Sequence, residues 1–571
     1  MTDTRDPKGG EISVKVSFDG QDGQDGHGPA APARRPVLRI LVLADLGTSE
    51  PASPTLLREA ADLQRLLEDL APRLVLDLPN LIAEQPPTLE CRLHLRSFRE
   101  MAPEALVREV PGLAQALELR RALERVEAGA PLSILRAALE GVPAGALGPV
   151  VALCRQALAE EAPPTPPAST REPSSAPADD AVGRIMDLVD LPSAEERAAA
   201  AVGKVVGAVG ARKRPRGAAE QSGALGAALG QLGELVDRQT RALLEHPELQ
   251  RVEAAWRGLK LLTDRTDFRR GIEIAVMHLR RPAVDDAVVE ALLADPDVDL
   301  ALAPWLLSSA GDATLVQWLA GLAERHQVPL VISLGHGFFG VASGEAAAMG
   351  YPGTLFEQQQ YTKWNAVRRK GPARWVAAVF NRVLLREGAT ELLGDPCWVV
   401  GALASRSHAR VGWPTEMAGR RSAEVGDLPI HELRDERGRK VRVPLESLLS
   451  RDRVEDLARC GVIALAARDD SDAVFLPYTP TLYQPSGSEA AVSLPYQLLA
   501  SRVARAVAEW VAEPGGGPAE LEERIRGMVG DTGPDAAVEV VPRGREVQLR
   551  LRTGAAVLGG VALELAFRLP D

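Results

Sequence analysis

Gly335-His336-Gly337-Phe338-Phe339-Gly340 is a literal G-x-G-x-x-G set directly behind the apolar run 328–334. Glycines at that spacing let backbone approach a pyrophosphate, which rests on the N-terminus of a following helix while an acid about 20 positions on holds a ribose. The residues after Gly340 do not suit such a helix, being rich in Gly and Ala and broken by Gly350 and Pro352. The acid at the right distance, Glu357, stands in the Gln-rich run 356–360 with no strand before it. A strand-exit loop is therefore expected, with a nucleotide-binding oxidoreductase using Gly335 to Gly340 as the alternative. The eight histidines are scattered, and none forms an H-x-x-x-H or H-E-x-x-H pair that could grip a metal. His246, beside Pro247, suits a helix start, and His431 a loop; both read as structural. Asp45 ends a strand as a catalytic acid would, but it serves equally as a turn former and no partner for it is identifiable. There is no G-x-S-x-G elbow and no Walker loop. These patterns predict no catalytic, cofactor-binding or metal residues, and no enzyme.

Composition narrows the classes further. A net charge of −12 over 571 residues argues against a general binder of nucleic acid or anionic membrane. No run approaches ~20 apolar residues, so no membrane insertion is expected, and residues 1–10 lack the apolar core of a signal peptide. Cys91, Cys154, Cys397 and Cys460 are far apart, which predicts reduced, buried thiols in a cytoplasmic protein. All eight Trp fall between Trp256 and Trp510, so two units of different character are expected.

The elements that must position these residues are set by periodicity. Residues 12–18 alternate strictly, as a half-buried strand does, and precede a Gly/Asp/Gln/Pro-rich stretch to Pro36. Residues 37–43 read as a more buried strand ending at Asp45; a helix over 55–70, strands over 74–78 and 89–95, and a helical region over 103–128 come next. Residues 162–180 are a Pro/Ser/Ala-rich linker. The basic run Arg212-Lys213-Arg214-Pro215-Arg216 reads as solvated chain rather than a nucleic-acid site. A long helix over 225–262, strands at 272–279, 328–334, 462–466 and 473–476 with helices between them, and strands at 538–541, 546–551 and 561–567 complete an α/β (mixed α+β) pattern.

His246-Pro247-Glu248-Leu249-Gln250-Arg251-Val252-Glu253-Ala254-Ala255-Trp256-Arg257-Gly258-Leu259 is the most specific stretch. Pro247 can open a helix. Leu249, Val252, Leu259 and Leu262, with Trp256 between them, form one apolar face, and Glu253 and Arg257 are spaced for a weak surface pair. The stretch resembles H-P-E-(F/L)-Q-x-(L/V)-E-x-x-W-R-G-L, near the start of the large sheath subunit of bacterial type VI secretion systems. Lys363-Trp364-Asn365-Ala366-Val367-Arg368, Asn381-Arg382-Val383-Leu384-Leu385-Arg386, Leu428-Pro429-Ile430-His431 and Leu494-Pro495-Tyr496-Gln497 resemble further patches of that subunit. Earlier, Ser97-Phe98-Arg99-Glu100-Met101-Ala102-Pro103-Glu104 resembles the S-(F/L)-x-D-(F/M)-x-P-(E/D) segment of the small sheath subunit, with Glu100-Met101 where Asp-Phe is usual. Between 277 and 329 the long acidic-aromatic insert of the large subunit is missing, and Arg505-Ala506 replaces its His-Tyr.

The resemblance implies small and large subunits fused in one chain: 1–161 small-subunit-like, 162–180 linker, 181–265 an N-terminal helical segment, and 266–571 a shortened, divergent large-subunit-like domain. It implies two α/β units sharing a core, a helical homopolymer around an inner tube protein, attachment to a baseplate, and terminal strands that pair between neighbours. The residues for that pairing are Ile12, Val14, Val16 and Phe18 at one end and Val538, Val540, Val547, Leu549, Leu551, Leu563 and Leu565 at the other. Glu253, Trp256, Arg257 and Gly258 are the structural motif. Ile185, Met186, Leu188 and Val189 stand where the family offers a segment to a hexameric AAA+ unfoldase. A non-contractile scaffold or baseplate relative is a further alternative.

Overall fold

The computed structural model describes residues 13–16, 38–48, 54–83, 85–142, 145–159, 216–343, 349–388, 390–414, 416–419, 423–435, 438–484, 493–512, 517–529, 537–543, 546–552 and 562–568. Eleven strands build its two principal sheets. In chain order they are β1 (Ser13–Val16), β2 (Leu38–Ala44), β3 (Thr55–Leu57), β4 (Ile272–His278), β5 (Leu300–Leu307) and β6 (Leu330–Leu334). They continue with β7 (Val376–Phe380), β8 (Val462–Ala464), β9 (Ala537–Arg543), β10 (Glu546–Arg552) and β11 (Ala562–Arg568).

Parallel strands are covered on both faces and so read as continuous apolar runs. Leu-Val-Ile-Ser-Leu of β6 and Val-Ala-Ala-Val-Phe of β7 are buried at every position. They lie in a seven-stranded sheet of order β8-β7-β6-β5-β2-β4-β3, parallel except for β3, which runs antiparallel to β4. β2 occupies an interior position there. Leu38 to Ala44 face Ile272 to His278 on one side, and Ile40 to Val42 face Leu300 to Leu302 on the other. The expected shared core is thus a shared sheet: an early strand is hydrogen-bonded on both edges by strands made much later in the chain.

By compactness the chain divides into one unit of Met1–Leu74, Leu93–Ala102 and Leu244–Asp571 and another of Val75–Arg92 and Pro103–Leu243. These units interleave the sequence segments 1–161 and 181–571, and the linker 162–180 lies outside the described residues. The smaller unit contains the helices Pro103–Arg108, Leu113–Glu127, Ser133–Glu140, Gly148–Ala159 and Arg216–Leu244. In it Gln239 is fully buried, accepting from the Leu81 N–H (2.9 Å) and donating to the Pro79 carbonyl (3.1 Å). Its Cys91 and Cys154 thiols are buried, and burial pushes both up to about 11.

Three local expectations need correction. Residues 55–57 are strand, and the helix begins only at Ala60, because Glu59 and Asp62 form a capping box that fixes its start. The helix expected over 225–262 is two helices, Arg216–Leu244 and Pro247–Asp264. Pro247 lacks the N–H an interior turn needs, so it opens the second helix instead of continuing the first. His431 is not in a loop: it starts the strand His431–Arg434, opposite Val443. β5 and β7 carry no alternation, since both faces are covered, and periodicity leaves them unassigned.

The last three strands and β1 form the second sheet, of order β1-β11-β10-β9. Val538, Val547 and Leu549 pack there against Leu499, Val503 and Val507 of the helix Leu494–Ala512 and Leu521 and Ile525 of the helix Pro518–Val529.

Candidate functional site

The helix Pro247–Asp264 is where the two sets of sequence motifs meet. His246 holds its N-cap position and Pro247 its first turn. Trp256 is fully buried, and its indole N–H donates to the carbonyl of Leu46, at the exit of β2 (3.1 Å). A Cβ on Gly258 would stand 2.1 Å from Nε1 of Trp398, so the Trp-Arg-Gly step exists to let the helix Cys397–Val411 approach. Gly47, at φ +77°, meets Val252 in the same way, with a Cβ position 2.7 Å from Cγ2. Arg257 reaches the Met101 carbonyl (3.2 Å), and Lys260 lies over the Phe98 ring (5.7 Å). Glu100 accepts from the backbone N–H groups of Arg96 and Ser97, a task any carboxylate of similar reach can do in place of Asp.

Glu253 and Arg257 are not the weak surface pair expected. Glu253 is fully buried and binds Arg257 Nε (2.7 Å), Arg386 Nε (3.0 Å) and Arg386 Nη2 (3.3 Å). Arg386 also donates to the carbonyl and hydroxyl of Thr390. A carboxylate taken out of water needs this number of donors. Sequence reading missed Arg386 as the third member, although it stands in one of the matching patches.

Asp45 does have partners. It is paired with Arg251, lies 3.6 Å from Arg280 Nε, and accepts from the Gly47 N–H (3.1 Å) as a turn former. Next to it His278 is buried, and its Nδ1 accepts from the Leu46 N–H (3.0 Å). Burial lowers the His278 pKa against the opposing pull of Asp45, so the ring is held neutral as an acceptor.

The glycine loop is filled from within. It leaves β6 as a short 3-10 turn, His336–Phe339, closed by Gly340 at φ +73°. Cβ atoms on Gly335 and Gly337 would meet Ser308 at 3.2 Å and 3.0 Å, so these glycines admit the end of β5. Phe338 packs on Tyr361 and Trp364, and Phe339 on Phe380, with the Tyr361 hydroxyl bonded to the Phe338 carbonyl (2.6 Å). The loop geometry does not fit a dinucleotide cradle.

One buried cluster has the order of a nucleophile–base–acid set. His336 Nε2 lies 2.7 Å from Ser447 Oγ, and its Nδ1 is 3.2 Å from Glu446 Oε1, near enough for charge attraction though outside hydrogen-bonding geometry. Arg382 grips Glu446 with two bonds, of 2.8 Å and 2.6 Å. Burial opposes ionisation of Glu446, but Arg382 and His336 outweigh it and hold the carboxyl far below the usual range. Ser447 is only 1% exposed, and its backbone is pinned by Asn381, so the cluster ties loops together rather than presenting a hydroxyl to a substrate. An open cleft of about 780 Å³ at the end of the Pro247–Asp264 helix is lined by Asp264, Arg265, Arg406, Glu424 and Asp427. Those charges are satisfied by one another and by nearby groups, as in Arg265 with Asp427 (3.5 Å) and Lys260 with Asp264 (2.6 Å). Among the described residues no group of three His, Cys, Asp or Glu could hold a metal, and no helix is long and apolar enough to cross a membrane.

The terminal strands come together. β1 runs parallel to β11, with Ser13 opposite Glu564, Val14 opposite Leu565 and Val16 opposite Phe567. β11 pairs antiparallel with β10, placing Leu549 opposite Leu565 and Leu551 opposite Leu563, and β10 pairs with β9, placing Val540 opposite Leu549. Ile12 and Phe18 lie outside the described residues, as do Ile185, Met186, Leu188 and Val189.

The family model described as EvpB/VC_A0108, tail sheath N-terminal domain, matches residues 227–297, 302–392 and 388–482. The model described as Type VI secretion system, VipA, VC_A0107 or Hcp2, matches residues 36–131. The chain is 22% identical over 321 residues to the type VI secretion system sheath protein TssC1 of Pseudomonas aeruginosa, a match covering 47% of this chain and 64% of that protein. The chain therefore spans less than two thirds of that relative's length. Among solved structures, the anti-feeding prophage baseplate is 13% identical, with 53% of this chain and 76% of that chain covered at a TM-score of 0.30. The contracted helical sheath of the same prophage is 12% identical, with 50% and 71% covered at 0.30. Overlaps that low carry no weight beside the two family matches, which succeed one another along the chain in the order of the motifs. The chain belongs to the type VI secretion sheath family, with a small-subunit-type segment and a large-subunit-type segment in one polypeptide.

Proposed function

We propose that the chain is the structural subunit of a contractile, type VI-like sheath, which polymerises helically around an inner tube protein and shortens to drive it outward. The terminal sheet carries this reading: β1 adds to the edge of a hairpin from the opposite end of the chain. A strand added at an edge satisfies backbone groups while side chains set register, which makes it a ready joining device. Offered to a neighbour, it links copies head to tail, and contacts of that kind which do not close give open filaments. The tether over 17–37 can reach roughly 70 Å at full extension, enough to pass between adjacent subunits. Val14 and Val16 in β1, with Ile12 and Phe18 beside them, are the donor residues. Val538, Val540, Val547, Leu549, Leu551, Leu563 and Leu565 build the acceptor.

In this reading the protein works in the cytoplasm, catalyses no reaction, contacts a baseplate at one end of the tube, and offers residues 182–189 to a hexameric AAA+ unfoldase. Keeping both subunit types in one chain enforces equal numbers and raises their effective concentration to about millimolar. Negative-stain microscopy and sedimentation of the purified chain test the proposal. Tubes are the expected product. A chain that stays monomeric at high concentration, both alone and with its inner tube protein, would remove the basis for the reading.

A further inference from the structure

Both members of the β1–β11 pair belong to one chain. We propose that this is a latch: the free protomer holds its own β1 on the edge that a neighbour's β1 takes in the polymer, and assembly starts only when the strand lets go. The inference rests on the strand-exchange reading of the proposed function.

Without β1, β11 would be bonded only to β10 and would offer a bare row of N–H and C=O groups to any extended chain. The far edge of the same sheet is protected differently. β9 ends in Val-Pro-Arg, and Pro542 has no N–H to donate. The β11 edge is therefore the one built to accept a strand, and the chain itself fills it.

β1 is four residues long, so few backbone bonds hold it, and it can leave without disturbing the sheet. Its tether leads to β2, fixed in the interior of the central sheet. A strand held on such a tether acts at about millimolar effective concentration, far above that of free neighbours in a dilute solution. Self-pairing then dominates. Exchange would remake the same register between two chains and gain no ladder bond, so polymerisation is driven by the other faces of the protomer and rises steeply with concentration.

A reversible cross-link tests the latch. Lys15 and Ala566 are opposite each other on neighbouring strands ~4.8 Å apart, a span a disulfide accepts. In the full chain carrying Lys15→Cys and Ala566→Cys, Cys460→Ser removes the one native thiol that is not buried. Oxidising dilute protein should join the thiols within single chains, with monomer mass retained on a denaturing gel. Sedimentable tubes should fall at least tenfold, and reductant should restore them. Cross-links only between chains, or none at all, would overturn the latch while leaving strand exchange standing. Cross-linking within chains that leaves tube formation undiminished would overturn both. If the reduced variant itself fails to assemble, Ser13→Cys with Glu564→Cys, two register steps along, repeats the test.

Discussion

At Trp256 a single side chain joins two distant parts of the sequence, since its ring lies in the core and its N–H reaches the carbonyl of Leu46. Trp256→Ala should lower unfolding stability by ~3–5 kcal/mol in a denaturant titration and reduce tube yield. A stability unchanged within error would show that the helix carries no such weight. Arg257→Ala should cost less, because Arg386 keeps its two contacts with Glu253. Glu446 gives a pH dependence of defined sign. Its folded carboxyl titrates below the unfolded value, so the stability it contributes is complete above about pH 4.3 and is lost as pH falls below that value. Glu446→Gln should flatten the acid limb of a stability–pH curve and destabilise at neutral pH, where Arg382 loses its buried partner. An acid limb identical to that of the parent chain would assign the pH response to other groups.

Among the elements, β1 gives the sharpest test. Val14→Pro or Val16→Pro removes a ladder donor, and truncation before Gly20 removes the strand; each should leave a folded chain with unaltered far-ultraviolet circular dichroism that no longer forms tubes. Normal tubes from the truncated chain would end the strand-exchange idea. β1 was legible in the sequence because residues 12–18 alternate, and so was β2, because 37–43 is apolar at every position but Arg39. What could not be read was their partners: periodicity says that a strand has one or two buried faces, but not that β2 lies between β4 and β5. Gly258 was legible as part of a motif, yet its reason, the indole of Trp398, lies far along the chain. Glu253 was misread because spacing alone cannot distinguish a surface i,i+4 pair from one half of a buried cluster completed by Arg386. The Gly335 to Gly340 loop, expected as a strand exit, shares its spacing with phosphate cradles because glycine reports only close approach, and here what approaches is Ser308.

For the whole molecule, two predictions concern pieces of the chain tested apart from the rest. Under the proposed function, a peptide covering 179–198 should bind a hexameric unfoldase with at least micromolar affinity by calorimetry, because the sequence sets Ile185, Met186, Leu188 and Val189 in an otherwise polar stretch. Ile185→Asp with Leu188→Asp in the full chain should abolish recognition and leave tubes intact; a peptide that does not bind would return the segment to an ordinary packing role. Residues 1–161 expressed alone should be insoluble, and co-expression with 181–571 should rescue them, since β2 has both hydrogen-bonding partners in the later piece. A soluble, monomeric 1–161 would contradict that. The same placement of β2 has a consequence in time. A ribosome adding about 5–20 residues per second finishes Leu38–Ala44 roughly 10–50 s before Leu300–Leu307 is made. Until Ile272–His278 follows, this largely apolar seven-residue strand has neither neighbour, and it lacks the second until the end of the interval, so the nascent chain depends on whatever shields it until the second half arrives.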